Sequence, residues 1–522
     1  MTKLNKKHER AAGRVYLVGA GPGDPGLMTV AGLAALRSCD AVVFDALANP
    51  VLLDQAPKHA TRYDVGKRAK HHKLTQDQTN QLLVDLAQEG KCVVRLKGGD
   101  PYLFGRGAEE AAFCTRAGVR CEVVPGVTSG IAAPATAGIP VTHRKVASTV
   151  TIITGHEDPT KGETSIDYHA LADLIKVGGT ACFYMGVGRL QAICDELTGH
   201  GLPDTMPAAL IQWGTLPKQR HVTGTLANIK VKVDDAGLSS PAIIVVGEVA
   251  AIDEPGLDYF TNRPLFGQRI LVTRTRQQAS GLRLQLEELG AEVFEAPTIQ
   301  IVEPSDEESV ALDEAVQHIE RYDAVILTSA NAVHALADRL AKAGRDSRAL
   351  AGVHLSCIGE ATGETLDERL SCKADLIPAR SIAESFVREL LDDAGLAGKR
   401  VLLPQADIAR PLLAKGLQDA GCTVDVLTAY QTKSADALPE DVLEALRSGE
   451  VDWITFTSSS TASNLVDLIG GEAELLCNCK LASIGPKTSE TMRDHDLPIT
   501  TEAQQHDVVG LVAAVMDHGG AS

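Results

Sequence analysis

Three times before residue 130 the chain runs a short apolar segment straight into glycine, and this pattern restricts the fold more than any other feature. Arg14-Val15-Tyr16-Leu17-Val18 opens into Gly19-Ala20-Gly21-Pro22-Gly23-Asp24-Pro25-Gly26. Cys92-Val93-Val94 leaves through Arg95, Leu96 and Lys97 into Gly98-Gly99-Asp100-Pro101. Cys121-Glu122-Val123-Val124 leaves into Pro125-Gly126-Val127-Thr128-Ser129. Apolar runs of this length suit buried strands of an α/β sheet. Glycine at the strand end permits positive φ and lets a ligand lie against bare peptide groups. Helices follow from Val30 to Ser38 and after Gly105-Arg106-Gly107. Strand, glycine turn and helix compose an α/β sheet that holds polar small molecules at the carboxyl ends of its strands. One such turn is as readily a tight connection that binds nothing. Three converging in one sheet argue for a site.

The Gly19 turn imitates a dinucleotide fingerprint and fails on detail. The third glycine of that motif lets the helix pack closely on the strand, but Asp24 stands in its place. Pro22 removes an amide that a pyrophosphate would use, and a carboxylate on the loop would repel phosphate. A second strand, Ala41-Val42-Val43-Phe44, ends in Asp45, either a reactive carboxylate or a turn cap. Arg62 to Arg68 is read as a basic turn, with Lys67 either solvated or directed into the cleft, and His71 and His72 as surface residues.

The 522 residues suffice for about three or four domains. No apolar run approaches the roughly 20 residues that span a bilayer. Residues 1–12 form a basic tail without the apolar core of a signal peptide. A net charge of −18 and 4% aromatic content argue against nucleic acid as a partner. The eleven cysteines include no Cys-x-x-Cys pair, and Cys477-Asn478-Cys479 alone cannot complete a metal site. Free thiols in a reducing cytoplasm are expected, with no metal.

A second sheet begins near Ala147 and continues through Thr180–Gly186, Leu210–Thr215 and Ala242–Gly247. From about Gly13 to Ala251 the chain resembles the tetrapyrrole methylases, the uroporphyrinogen-III C-methyltransferases in particular. The pieces that carry the resemblance are VYLVGAGPGDPGLMT, VVFDAL, VGKR, VVRLKGGDPYLFGRGAEE, VVPGVTS, GIPVTHR, FYMG, QWGT and SPAIIVVGEV, in family order. The resemblance implies S-adenosylmethionine bound in a cleft between two unlike α/β domains, about 13–140 and 145–250. Matched positions imply donor contacts at Pro22, Gly98, Gly99, Asp100, Leu103, Thr128, Ser129, Met185 and Gly214. They imply Asp45 as base and Lys67 as proton donor. Leu103 and Ser129 depart from the usual residues, which main-chain contacts should survive. The family also implies a homodimer formed through this half.

Residues 251–268 carry two prolines, mixed charge and no period, and are read as a linker. Residues 269–522 repeat themselves. Gly290 and Gly421 occupy equivalent places 131 residues apart, Thr328 and Thr457 129 apart, and Gly359 and Gly485 126 apart. Two similar parallel-sheet domains follow, with Thr328, Ser329, Thr457 and Ser458 at strand ends facing a cleft. Their hydroxyls suit a ligand's carboxylates or hydroxyls, and equally suit helix N-caps. Arg274 and Arg410 are carboxylate binders or solvated surface residues.

This half resembles uroporphyrinogen-III synthase through VTR, LTSANAV, IGEATGETL, AYQT, FTSSST and IGPKTSETM. That resemblance implies two strand-like linkers, near Pro297–Val302 and Ala429–Thr432. One domain then combines 269–298 with 433–522, and the other spans 302–428. Tyr430 would act as acid and Thr362 and Thr488 would line the cleft, with packing in the linker the competing role for Tyr430. No cofactor is implied. Together the two resemblances imply a bifunctional enzyme that cyclises hydroxymethylbilane to uroporphyrinogen III and methylates it at C2 and C7 to precorrin-2. Small tetrapyrroles are then its partners, on the way to sirohaem or cobalamin. The rivals are a methyltransferase with a non-catalytic tetrapyrrole-binding module and a nicotinamide oxidoreductase.

Overall fold

A computed structural model describes residues 13–66, 74–156, 164–273, 276–378, 383–392, 395–409 and 411–519. The chain separates into two compact units. One comprises the residues up to Ile270 with Leu284–Val293 and the end from Val515; the other comprises Leu271–Arg283 and Phe294–Ala514.

The first unit holds two sheets. Strands β1 (Arg14–Gly19), β2 (Ala41–Phe44), β3 (Thr61–Asp64), β4 (Cys92–Lys97) and β5 (Arg120–Val124) form the first, in the order β3-β2-β4-β1-β5. All its neighbours run parallel. Val18, Val42, Val94 and Leu96 pack on one face and Val15, Leu17, Val43 and Val93 on the other. Burial on both faces is why these strands read as unbroken apolar runs. Two expectations change here. Arg62–Asp64, read as part of a basic turn, lies in an edge strand whose largely exposed residues give no apolar alternation. Arg95 and Lys97, read as leaving β4, are within it and buried, 5% and 4% exposed.

The second sheet comprises β6 (Thr149–Thr154), β7 (Gly179–Tyr184), β8 (Pro207–Gln212), β9 (Arg220–Thr225) and β10 (Ala242–Val246), in the order β6-β7-β10-β8-β9. Only β6 and β7 pair in parallel; β10 and β9 pair antiparallel with their neighbours. The two sheets of this unit are therefore unlike. Residues 251–268 are packed rather than loose: Phe260 and Leu265 are buried, and the Leu265 amide donates to the Leu289 carbonyl at 2.9 Å.

In the carboxyl half, β11 (Arg269–Val272), β12 (Glu292–Glu295), β13 (Ile299–Val302), β14 (Ala324–Leu327), β15 (His354–Cys357), β16 (Arg400–Ala406), β17 (Thr423–Ser434), β18 (Trp453–Phe456), β19 (Lys480–Ser483) and β20 (Thr501–Glu502) form two sheets. Their orders are β12-β11-β18-β19-β20 and β13-β17-β16-β14-β15. β13 runs antiparallel to the end of β17, with Ile299 opposite Ser434 and Val302 opposite Gln431. The chain thus crosses between the two sheets as a paired ribbon. Among the described residues no helix is long and apolar enough to cross a membrane.

Candidate functional site

The glycine-ended strands meet main chain to main chain. A Cβ on Gly126 would lie 2.3 Å from the Gly99 carbonyl oxygen, and one on Gly19 would lie 2.5 Å from the Gly126 Cα. Only glycine permits that approach. Gly21 and Gly99 exchange amide bonds, Gly99 N–H to Gly21 O at 2.7 Å and the return at 3.3 Å. Gly99 takes φ +68°, and nothing lies within 4 Å of where its Cβ would stand. The result is a bare peptide shelf at the ends of β1 and β4, facing open space.

Asp100 fixes that shelf. Its Oδ2 accepts the Gly126 N–H at 3.0 Å and its Oδ1 the Tyr102 N–H at 2.8 Å. The carboxylate expected as a ligand at a naked turn is therefore already tied to two main-chain amides. Asp24 behaves likewise, accepting from Gly26 N–H at 2.7 Å. Its charge serves a local cap rather than standing over the loop.

The second sheet supplies the opposite rim. Met185 follows β7 with φ +54° and is 50% exposed. Gly214 follows β8, where a Cβ would lie 2.2 Å from the Ala133 Cβ. Five of the seven non-glycine residues with positive φ among those described are Phe104, Arg106, Met185, Trp213 and Thr215, all in turns near this rim. Sparsely populated backbone of this kind persists where surrounding structure over-determines it, and gathers at functional sites. Sequence reasoning missed the ties that hold the rim. Tyr184 OH lies 2.5 Å from Thr128 Oγ1 and accepts the Gly130 N–H at 2.5 Å. Thr215 Oγ1 accepts the Asp24 N–H at 3.1 Å, and buried Gln219 joins Thr215 to Thr136.

Pro22, Gly98, Gly99, Asp100, Leu103, Thr128 and Ser129 thus lie at adjacent strand ends of one sheet, with Met185 and Gly214 at strand ends of the other. Gly98 packs against Leu47, two residues beyond Asp45.

Asp45 terminates β2 and is partly exposed. Its Oδ1 accepts the Leu47 N–H at 3.2 Å, and its Oδ2 receives Arg95 at 3.4 Å. Behind it lies an ion cluster that the sequence did not disclose. Glu110, fully buried, accepts from Lys97 Nζ at 3.1 Å, Arg95 Nε at 3.3 Å and Gln76 Nε2 at 3.0 Å, all on one oxygen. Burial first, and the Arg95 charge second, push the Lys97 ammonium pKa down, against the pull of Glu110 and Asp45. Lys67, the expected proton donor, lies outside the described residues.

In the carboxyl half the hydroxyls do what caps do. Ser329 Oγ accepts the Ala332 N–H at 3.2 Å and Ser458 Oγ the Thr461 N–H at 3.3 Å, each at the start of a helix. Leu327 pairs with Cys357 and Phe456 with Ser483. Thr328–Ser329 therefore lies beside Gly359 in one sheet, and Thr457–Ser458 beside Gly485 in the other. Thr362 and Thr488 are buried in the first turn of the next helices. Tyr430, on the ribbon strand, places its OH 3.0 Å from Ser329 Oγ. The ribbon residue is thereby joined to a strand end rather than only packed. Arg274 and Arg410 lie outside the described residues. Among the described residues no His, Cys, Asp and Glu gather as a metal site would require.

Comparison with known proteins matches two separate stretches of the chain. The family model "Tetrapyrrole (Corrin/Porphyrin) Methylases" matches residues 14–230, and "Uroporphyrinogen-III synthase HemD" matches residues 280–513. A "Porphyrin biosynthesis protein HemD" of Ruminiclostridium josui is 35% identical over 97% of this chain and 98% of its own length. An "S-adenosyl-L-methionine-dependent uroporphyrinogen III methyltransferase" of Methanosarcina barkeri is 49% identical over 46% of this chain and 94% of its own. The crystal structure of a uroporphyrin-III C-methyl transferase from Thermus thermophilus with S-adenosyl homocysteine is 36% identical over 46% of this chain and 100% of its own, with a TM-score of 0.39. The class is a two-part α/β enzyme of tetrapyrrole biosynthesis. The chain belongs to the family in which a tetrapyrrole methylase is fused to a uroporphyrinogen-III synthase.

Proposed function

We propose that the amino half transfers methyl groups from S-adenosylmethionine to C2 and C7 of uroporphyrinogen III, giving precorrin-2, and that the carboxyl half makes that substrate from hydroxymethylbilane. The observation that carries the first assignment is the peptide shelf where Gly19, Gly99 and Gly126 converge. Its open glycine edge fits a donor held by main chain, and the residues that would hold it are Pro22, Gly98, Gly99, Asp100, Leu103, Thr128, Ser129, Met185 and Gly214. When bound, the donor supplies a sulfonium methyl group that needs no further activation. What remains for the protein is alignment and proton removal.

Alignment is the larger effect, about 7–11 kcal/mol at the upper limit for well-oriented reactants. Asp45, oriented by the Leu47 amide and by Arg95, takes the proton released when the pyrrole carbon is methylated. General-base assistance of that kind is worth about 10²–10⁴-fold. The buried Arg95–Lys97–Glu110 cluster sets two cations against one carboxylate beneath the site, and its remaining positive charge, on Arg95, faces Asp45 and holds that carboxylate in place.

In the carboxyl half the substrate loses water, ring D inverts through a spiro intermediate and the macrocycle closes. Capped strand ends provide donors for the substrate's many carboxylates, and Tyr430 protonates the departing hydroxyl with Ser329 at its oxygen. An enzyme that folds a reactive chain into one conformer needs shape more than acid or base groups.

Mass spectrometry and isomer analysis of the product from hydroxymethylbilane and S-adenosylmethionine tests both assignments together. A doubly methylated isomer-III product is expected. A doubly methylated isomer-I product would leave the methylase reading standing and make the carboxyl half a binding module.

A further inference from the structure

Tyr184 closes β7, and its side chain touches both loops of the neighbouring sheet. Its ring meets Phe104, on the Gly98–Gly107 loop, edge to face with centroids 5.3 Å apart. Its hydroxyl reaches the other loop, 2.5 Å from Thr128 Oγ1 and 2.5 Å from the Gly130 amide. Thr128 precedes the helix Ser129–Thr136 but makes no side-chain cap bond of its own. The phenol oxygen accepts the amide that such a cap would have taken. Gly130 is shaped to this contact, because a Cβ there would lie 2.6 Å from the phenol oxygen. Immediately after Tyr184 the backbone turns through Met185 at φ +54° toward the rim.

The hydrogens of the pair can be counted. The Gly130 amide is a donor, so it occupies a lone pair of the phenol oxygen. Thr128 and Tyr184 each carry one hydroxyl hydrogen, and a single one of these is consumed between them, whichever donates. The other is left for an acceptor outside the pair.

We infer that Tyr184 is a positioning residue for methyl transfer: it ties the second sheet to both donor-binding loops of the first and, with Thr128, leaves one hydroxyl hydrogen directed at an acceptor atom of the methyl donor. This rests on reading the site as an S-adenosylmethionine site. A phenol bridging two sheets at the ligand also makes their spacing part of donor affinity.

Calorimetry with S-adenosylhomocysteine on the full-length protein tests it, using wild type, Tyr184→Phe, Thr128→Val, Thr128→Ser and the Y184F/T128V double variant. Each of Y184F and T128V should weaken binding about tenfold, the loss of one hydrogen bond at a half-buried site. T128S should stay near wild type. The double variant should be no weaker than the worse single variant by more than about twofold, since one pair is being removed. The KM for uroporphyrinogen III should not move. Unchanged affinity in both single variants, with only a lower Tm, would reduce Tyr184 to a structural residue and overturn the inference. Fully additive losses would overturn the shared hydrogen. Absence of heat with wild type would instead overturn the donor reading itself.

Discussion

The two halves are both α/β, yet they are built to different tolerances. In the amino half the shelf consists of backbone in contact with backbone: Gly19 and Gly126 leave no room for a methyl group, Gly99 takes a positive φ, and five non-glycine residues with positive φ lie in the loops around it. In the carboxyl half the equivalent strand ends are ordinary helix caps, and Tyr430 and Ser329 form a hydroxyl pair that bridges the ribbon to a strand end. A small donor whose methyl group must be aimed at one carbon demands fixed main chain. A long flexible substrate that must be coiled demands a surface of donors, and caps already provide one.

The sharpest way to break the contrast is Gly126→Ala. Its new Cβ meets the Gly99 carbonyl, so methyl transfer and S-adenosylhomocysteine binding should vanish, with a stability loss of about 1–3 kcal/mol or more. Gly471→Ala, where nothing lies within 4 Å, should change neither activity by more than about twofold. If G126A still bound the product at full strength, close packing at the shelf would be irrelevant to function.

Asp45→Asn comes next. Methyl-transfer kcat should fall about 10²–10⁴-fold while S-adenosylhomocysteine affinity and uroporphyrinogen III formation hold. A parallel loss of product affinity would make Asp45 a binding group rather than a base.

Tyr430→Phe should be gentler, lowering uroporphyrinogen III formation by about tenfold and leaving methylation of supplied uroporphyrinogen III untouched. A loss as large as that of Asp45→Asn would show that the carboxyl half relies on a single acid after all, and the contrast between the halves would fail.

The smallest effect concerns the ribbon. Hydrogen bonds from Ser305, Thr428 and Gln431 draw the Glu308 carboxyl down to about 2 from its ordinary 4.5. A depressed carboxyl stabilises the fold above its unfolded pKa, and that contribution is lost as pH falls through its folded value. Glu308→Gln should therefore lower Tm at pH 7, and the gap to wild type should close between about pH 4.5 and pH 2. A gap that persists unchanged at pH 2 would assign the loss to the cap that Ser305 and Glu308 form together at the start of the helix Asp306–Gln317.

Legibility followed the same divide. Gly19, Gly98, Gly126 and Asp45 could be placed at strand ends because buried parallel strands print as apolar runs that stop at glycine or a polar residue. The buried ion cluster could not. Arg95 and Lys97 look like residues leaving a strand, and Glu110, which pairs with both, sits on a helix surface pattern 13 to 15 residues later. β3 was hidden because an edge strand with exposed Thr61, Arg62 and Asp64 has a loop's composition. Asp100 was visible as a residue but not as a staple, since its partners are main-chain amides that no sequence pattern displays. Tyr184 stood inside FYMG, where an aromatic at a strand end reads as core. In the carboxyl half the repeat disclosed the pair of sheets, and Ile299 occupies the place equivalent to Tyr430, so duplication itself gave no hint that one copy carries a phenol.

Isothermal titration of the intact protein with S-adenosylhomocysteine, with NADH as the control ligand, tests the donor shelf most directly. Saturable heat with S-adenosylhomocysteine, abolished in Gly126→Ala and absent with NADH, is the predicted result. No heat with S-adenosylhomocysteine, or binding of NADH in its place, would contradict it.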